Sequence, residues 1–582
     1  MALEKVNSPE DLKKLSREEL IVLAQDIRDA MLHRVSNKGG HVGPDFGAVE
    51  LIIALHKVFN LPVDKFVFDV SHQCYPHKII TGRKFGFLDL DRYSEVSGYT
   101  NQDESEHDFF KIGHTSTSVS LATGLAKARD LRGVKENIIA IIGDGSLSGG
   151  EAFEGLNVAS ELNTNMIIIA NDNDMSIAEN HGGLYKNLRE LRESNGQAQN
   201  NYFKSLGLDY VYVDKGNDLD ALIEVFEKVK DIDHPIVVHV HTQKGKGLPY
   251  AEKDKETWHY GMPFDPETGE KRNSYSGGLS NDTAEFLMDK MEKDSTVAVV
   301  TSGTPTVLGF TRDRREKFAK QFIDVGIAEE QAVAMISGMA KNGGKPIYGV
   351  FSTFIQRTYD QLSQDLAINN NPATILIFGG GLGGMSDVTH LCWFDISLVS
   401  NIPNIVFLAP TSKEEYFAML DWSIEYKGHP VAIRVPSQLS EDTGNVQKDF
   451  SDLNKYLVTE KGKDVAILGL GNFYKLGKEV KELLKENGID ATLINPRYAS
   501  GIDETLLNEL KAEHKLIVTL EDGVIDGGFG EKIARFYGTS DMKVLNYGIK
   551  KEFTDRVAPD VAFKNNRLTK EQIVEDILKI VK

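Results

Sequence analysis

NIIAIIGDG (137–145) and NMIIIANDN (165–173) are the two stretches that decide the fold. Each is an unbroken apolar run closed by small and polar residues. Continuous Ile without polar alternation suits a strand buried on both faces, as in a parallel sheet sandwiched between helices. A strand closing on Gly143-Asp144-Gly145 puts a carboxylate at the carboxyl edge of such a sheet, where open α/β folds bind their ligands. Gly143 and Gly145 let the backbone approach a phosphate closely, and Gly149-Gly150 opens a helix whose first N–H groups face an anion. Asp144 and the amide oxygen of Asn173 are the hard oxygen donors that Mg²⁺ takes, usually together with a diphosphate. A Gly-Asp-Gly turn by itself is equally a capped turn. Followed about 28 residues on by Asn171-Asp172-Asn173, it reads as one shared metal site.

Working outward, YVYVD (210–214) and PIVVHVHTQ (235–243) continue the first strand series. FDPETGEKRNSYSGGLSND (264–282) is polar and turn-rich and reads as a linker. A second series follows: STVAVVTSG (295–303), PIYGVF (346–351), ATILIF (373–378) and NIVFLAP (404–410). The third is VAILGLG (465–471), ATLINP (491–496), KLIVTLEDG (515–523) and VLNYG (544–548). Helix-period stretches separate the strands, so the fold class is α/β, with three consecutive domains and mostly parallel sheets. The expected boundaries are 1–290, 291–450 and 451–582. Ser8-Pro9-Glu10-Asp11 before Leu12 predicts a capped helix start.

A chain of 582 residues is too long for one core, in keeping with several domains. Its formal charge of −20 argues against nucleic acid as a partner. Two cysteines, Cys74 and Cys392, build no disulfide framework, which predicts a reducing compartment. The charged amphipathic N-terminus carries no signal-peptide pattern, and no apolar run is long enough for a bilayer, so a cytoplasmic protein without membrane contact is expected. GGGLGG (379–384) is a weak nucleotide-loop pattern, and no ribose-binding acid stands at the expected spacing.

The Gly-Asp-Gly and Asn-Asp-Asn pair is similar to a thiamine-diphosphate signature. Gly39-Gly40-His41, FDVSHQCYPHKIITGR (68–83), GHTSTSVS (113–120), NDNDMSI (171–177), KGKGLPYAEKD (244–254), DVGIAEEQAV (324–333), FSTFIQRTYDQ (351–361) and THLCWFD (389–395) extend the match along the whole chain. Together they resemble the 1-deoxy-D-xylulose-5-phosphate synthase family, which has a transketolase-like fold and condenses pyruvate with glyceraldehyde 3-phosphate. The resemblance implies thiamine diphosphate, Mg²⁺ and a homodimer. It implies Asp144, Asn173 and the Met175 carbonyl as metal ligands. It implies His72, Gly113, His114, Thr115, Ser116, Gly143, Gly145, Ser146, Ile177 and Lys253 around the cofactor. Glu329 would hydrogen-bond the pyrimidine ring so that the ring nitrogen takes the thiazolium proton, with Glu330 one residue away as the alternative. Phe354 would stack on that ring and Arg357 would shape the site. His41, His72 and His390 would handle protons, and His41, His259, Arg357 and His390 would face substrate.

The match breaks at the residues that grip the acceptor's phosphate. A family Tyr is Phe351, one Arg is lost in Phe378-Gly379-Gly380-Gly381, and a second is Ser437 after Val435-Pro436. An expected acid is Ser386, with Asp387 beside it, and Arg434 matches another position. Two lost charged hydrogen-bonding groups are worth about 3–6 kcal/mol to a phosphate. The segment between Asn180 and Tyr210 is also shorter than in the family. Three readings follow: a synthase with an altered grip, a transketolase-like enzyme using a ketose donor or an unphosphorylated acceptor, and a non-catalytic thiamine-diphosphate-binding protein.

Overall fold

The structure is a computed structural model that describes residues 1–272, 278–436, 439 and 446–581. It divides into two compact units, 1–276 with 326–328, and 277–325 with 329–582.

In the first unit five parallel strands lie in the order Lys65–Phe68, Ile138–Gly143, Met166–Asp172, Pro235–His241, Asp209–Val213. The unbroken apolar runs are explained by which face each side chain serves. Ile139, Ile141, Ile167 and Ile169 join one core, with the helices Arg17–Lys38, Val49–Val58 and Leu219–Val229. Ile138, Ala140, Ile142, Met166 and Ile168 join another on the opposite face, with Ser118–Arg132, Gly150–Ala159 and Gly183–Glu193. Strand side chains alternate faces, so covering both faces demands apolar residues at every position. Each fully buried Ile contributes about 1.5–3 kcal/mol. What the layers leave open is the carboxyl edge, and Asp69, Asp144, Asn173 and Lys244 all follow strand ends there.

The second unit holds two sheets. The first has six parallel strands in the order Val406–Leu408, Val431–Val435, Thr374–Phe378, Lys345–Phe351, Val297–Thr301, Phe322–Asp324. The second runs Leu457–Glu460, Thr492–Asn495, Asp464–Gly469, His514–Val524, Lys543–Ile549, with only the first strand antiparallel.

The three larger sheets thus correspond to the three strand series, but the contacts group the second and third. The helix Gly278–Lys293 belongs to the second unit, so a boundary at 290 would cut it, and the division falls at 276/277. Lys65–Phe68, Phe322–Asp324, Val431–Val435 and Leu457–Glu460 are strands that the apolar-run reading did not mark. They are only three to five residues long. The first helix also differs from expectation: Ser8 makes no side-chain cap on Pro9–Lys13. The capping box belongs to Ser16 and Glu19, which open Arg17–Lys38.

Candidate functional site

Gly143 and Asn171 are register partners, so the two strand tips lie side by side. Asp144 Oδ2 accepts from the Met175 backbone N–H at 3.0 Å and from Asn180 Nδ2 at 2.7 Å. Its carboxyl is pushed well above the ordinary carboxylate range, chiefly by burial and then by Asp172. Asp172 is compensated instead: burial opposes its charge, but His239 at 2.8 Å and Arg192 at 2.6 Å lower it to about 2. Asp144 is therefore the acid of the pair without a contacting cation: the buried Lys244 acts on its charge but offsets burial only in part. Around it Asn173 Oδ1, Ser176 Oγ and Asn180 Oδ1 are buried without a hydrogen-bond partner. Buried oxygens left unpaired are costly, and an oxygen-seeking divalent cation satisfies both them and the acid. No cluster of three His, Cys, Asp or Glu side chains suited to a metal exists among the described residues. The donor set here is one carboxylate with amide and carbonyl oxygens.

The expected phosphate loops meet the same strand edge. Ser116 Oγ donates to the Ser146 carbonyl at 2.8 Å, joining the 113–116 loop to the 143–146 loop. Gly145 is required by close approach, because a Cβ there would stand 2.7 Å from Ser176 Oγ. The shortened 180–210 segment carries Gly183–Glu193, whose Tyr185 hydroxyl donates to the Asp144 and Gly145 carbonyls at 3.2 and 3.1 Å. Ile177 is half-buried in the loop after Asn173, and His114 and Thr115 are half-buried in theirs. Lys253 is exposed at the end of Pro249–Lys253. Two residues on, Lys255 Nζ donates to the Asn173 carbonyl at 2.9 Å, which brings a second cation to this strand tip.

His41, His72 and His259 converge in the first unit. The His41 ring lies 5.0 Å from His72 and 5.8 Å from His259, and His72 lies 5.2 Å from His259. Tyr99 and Tyr260 flank His41. Between this cluster and the metal loop stands Lys244, 2% exposed, which the sequence reading did not single out. Its Nζ donates to the Ser176 carbonyl at 2.5 Å and meets His259 Nδ1 at 3.1 Å. Burial, reinforced by Lys244, lowers His41 to about 3 and holds His259 well below its ordinary value, so both imidazoles are held neutral. The available sequence signal for Lys244 was its place: it follows the end of Pro235–His241, as Asp144 follows Gly143.

In the second unit Glu329 begins the helix Glu329–Lys341, is 3% exposed, and accepts a long contact from Arg357 Nη1 at 3.4 Å. Burial raises it to about 7 against the pull of Arg357. Glu330 is only half-buried, which favours Glu329 as the buried acid. Phe354 makes an edge contact with buried His390 at 5.8 Å and lies 6.0 Å from Phe351.

The glycine run 379–384 has a packing cause. A Cβ on Gly380 would lie 2.7 Å from Arg434 Nε, and one on Gly381 would lie 1.8 Å from Asp522 Oδ2. Arg434 is itself buried, donating to Asp395 at 2.6 Å and to Asp522. The glycines make room for this ion triad. Ser386 gives its carbonyl to the Arg556 N–H at 2.7 Å. Ser437 lies outside the described residues.

Comparison with known proteins shows the family. The family profile described as 1-deoxy-D-xylulose-5-phosphate synthase matches residues 3–201 and 194–242. The transketolase pyrimidine-binding domain matches 282–442, and the transketolase C-terminal domain matches 454–573. A 1-deoxy-D-xylulose-5-phosphate synthase of Clostridium beijerinckii is 37% identical over 99% of both chains. One of Alkaliphilus oremlandii is 38% identical over 99% of both. One of Clostridium tetani is 36% identical over 98% of both. Carried through nearly the whole chain at this identity, the likeness makes the chain a member of the 1-deoxy-D-xylulose-5-phosphate synthase family of thiamine-diphosphate-dependent transferases.

Proposed function

We propose that the protein condenses pyruvate with an aldehyde, glyceraldehyde 3-phosphate in the first reading, releasing CO₂ and forming 1-deoxy-D-xylulose 5-phosphate. The observation that carries this is the buried, only partly compensated Asp144 amid the unpaired oxygens of Asn173, Ser176 and Asn180. Asp144, Asn173 and the Met175 carbonyl would hold Mg²⁺. Ser116, Ser146, Ile177 and Lys255 would surround the diphosphate, and Glu329, Phe354 and Arg357 the pyrimidine. Bound thiamine diphosphate supplies an acidic thiazolium carbon that becomes the nucleophile. Glu329, carrying its proton near neutrality, donates a hydrogen bond to the ring. His41 and His259, held neutral, would accept hydrogen bonds from hydroxyl groups of the substrates.

A second reading, an unphosphorylated acceptor, is supported by Arg434, which is committed to Asp395 and Asp522, and by Phe351 and Gly379 at the expected grip. Supplying pyruvate with glyceraldehyde 3-phosphate or plain glyceraldehyde and measuring CO₂ and product mass separates the two. CO₂ release with the phosphorylated acceptor favoured supports the first. Equal use of both supports the second. A product formed from ketose donors without CO₂ supports a transketolase reaction, and no product with either donor supports a scaffold.

Leu131, Phe153 and Val158 stand exposed on Ser118–Arg132 and Gly150–Ala159, and a second copy of the chain would cover them as a homodimer. No described helix is long and apolar enough to cross a membrane, and both thiols are buried and unpaired, which fits a cytoplasmic place.

A further inference from the structure

Asp69 follows the strand Lys65–Phe68 directly and is 1% exposed. Its two carboxylate oxygens go to two different backbone donors: Oδ1 accepts from Ser116 N at 2.7 Å and Oδ2 from Ser118 N at 2.9 Å. Its own N–H donates to the Ile141 carbonyl at 2.8 Å, two residues before Gly143. Ser116, held in this way, sits in the left-handed region at φ 74° and passes the tie on to the Ser146 carbonyl. The fit is close, since a Cβ on Gly149 would fall 2.1 Å from Ser116 Oγ.

On its other side Asp69 leads into Val70 and Ser71, both left-handed at φ 56° and 64°. A β-branched residue in that region is a steric outlier and persists only where its surroundings over-determine it. Ser71 supplies that determination. Its hydroxyl donates to the Ile112 carbonyl at 2.6 Å and accepts from Thr100 N at 2.8 Å. The next residue is His72, aimed at His41 and His259. Four loops, 69–72, 98–100, 112–118 and 143–146, are thereby fixed to one another by the side chains of Asp69 and Ser71, with Ser116 carrying the tie to the last.

We propose that Asp69, assisted by Ser71, is the positioning residue of the cofactor half of the site: it sets the spacing between the 113–116 loop, the 143–146 loop and His72 that a diphosphate requires. This rests on the reading above that the site takes thiamine diphosphate. The plainer role, a distant cap on the helix Ser118–Arg132, accounts for Oδ2 but not for Oδ1 or the strained turn.

Asp64 supplies a control. It lies at the amino end of the same strand, is 4% exposed, and accepts backbone N–H groups from Asn60 and Asn137. Thiamine diphosphate is titrated into the full-length protein with Mg²⁺ and followed by intrinsic fluorescence, with melting temperature measured in parallel. Asn at position 69 keeps one acceptor and turns an N–H group toward the second donor. Asp69→Asn is expected to weaken cofactor binding about tenfold or more, and Ser71→Ala about threefold. Each should change the cofactor Kd by a larger factor than kcat at saturating cofactor. Asp64→Asn is expected to lower the melting temperature and leave the cofactor Kd as it was. Should Asp69→Asn not fold, Ser71→Ala against Asp64→Asn decides. Wild-type binding matched by both Asp69→Asn and Ser71→Ala, or an equal loss in Asp64→Asn, overturns the positioning role alone. A wild-type protein that takes up no cofactor overturns the functional reading and this proposal with it.

Discussion

Gly143-Asp144-Gly145 and Gly379-Gly380-Gly381 occupy corresponding places: each stands at the end of an apolar parallel strand inside its own sheet. Their outcomes are opposite. At the first, the buried acid takes its hydrogen bonds from neutral groups, the buried Lys244 acts on its charge without contact and offsets burial only in part, and oxygens beside it are unpaired. At the second, Arg434 already joins Asp395 and Asp522, and the glycines serve only to let the triad pack. Glycines at a strand end therefore mark close approach, not ligand binding. What separates a site from a packing solution is whether the protein has balanced the charge itself.

Glu329 is another buried acid raised by burial, here in spite of a long contact to Arg357, and changing it is the strongest way to sharpen the contrast. Glu329→Gln should lower kcat about 10²–10⁴-fold, and deuterium exchange at the thiazolium carbon of bound cofactor should slow with it. Stability should move the other way. A carboxyl held near 7 when folded and at 4.5 when unfolded binds its proton more tightly in the native state. Native stability then falls as pH rises from 4.5 to 7, by about 3 kcal/mol in all. Glu329→Gln should therefore melt above wild type at pH 8 and lose that advantage by pH 4.5, as thermal scans across pH will read.

The compensated triad makes the reverse prediction. Arg434→Met strands two buried acids and should cost about 3–5 kcal/mol in urea unfolding. Cofactor affinity of the folded fraction should stay unchanged. A variant that folds normally but loses affinity for a phosphorylated acceptor would break the comparison, because Arg434 would then be a ligand residue.

The smallest effect separates two neighbouring cations. Lys253→Ala should change cofactor Kd less than about twofold, as expected of an exposed side chain. Lys255→Ala, which removes the contact to the Asn173 carbonyl, should weaken it about fivefold through one charged hydrogen bond. Calorimetric titration of both variants checks the pair.

The strand ends were legible in the sequence because a strand covered on both faces must be apolar at every position, and that signal extends right to Gly143 and Asp172. Short strands such as Phe322–Asp324 carried too few residues for the same signal. Asp144, Asn173 and Glu329 were legible through their motifs, and the structure adds the burial and pairing that distinguish Asp144 from Asp172. Lys244, Asp69 and Lys255 were not. Their placement comes from tertiary contacts, with Lys244 reaching Ser176, 68 residues away, and Asp69 reaching Ser116, 47 away. The glycine run at 379–384 could not be interpreted without Asp522, which arrives from a different sheet.

The central claim is that Asp144 needs an external divalent cation, and that this cation carries the cofactor. Thiamine diphosphate titrated calorimetrically into metal-stripped protein, with and without Mg²⁺, tests it directly, with Asp144→Ala alongside. Binding that requires Mg²⁺ in the wild type and is lost in Asp144→Ala is the predicted result. Equal binding in the presence of a chelator, or undiminished binding by Asp144→Ala, would contradict it.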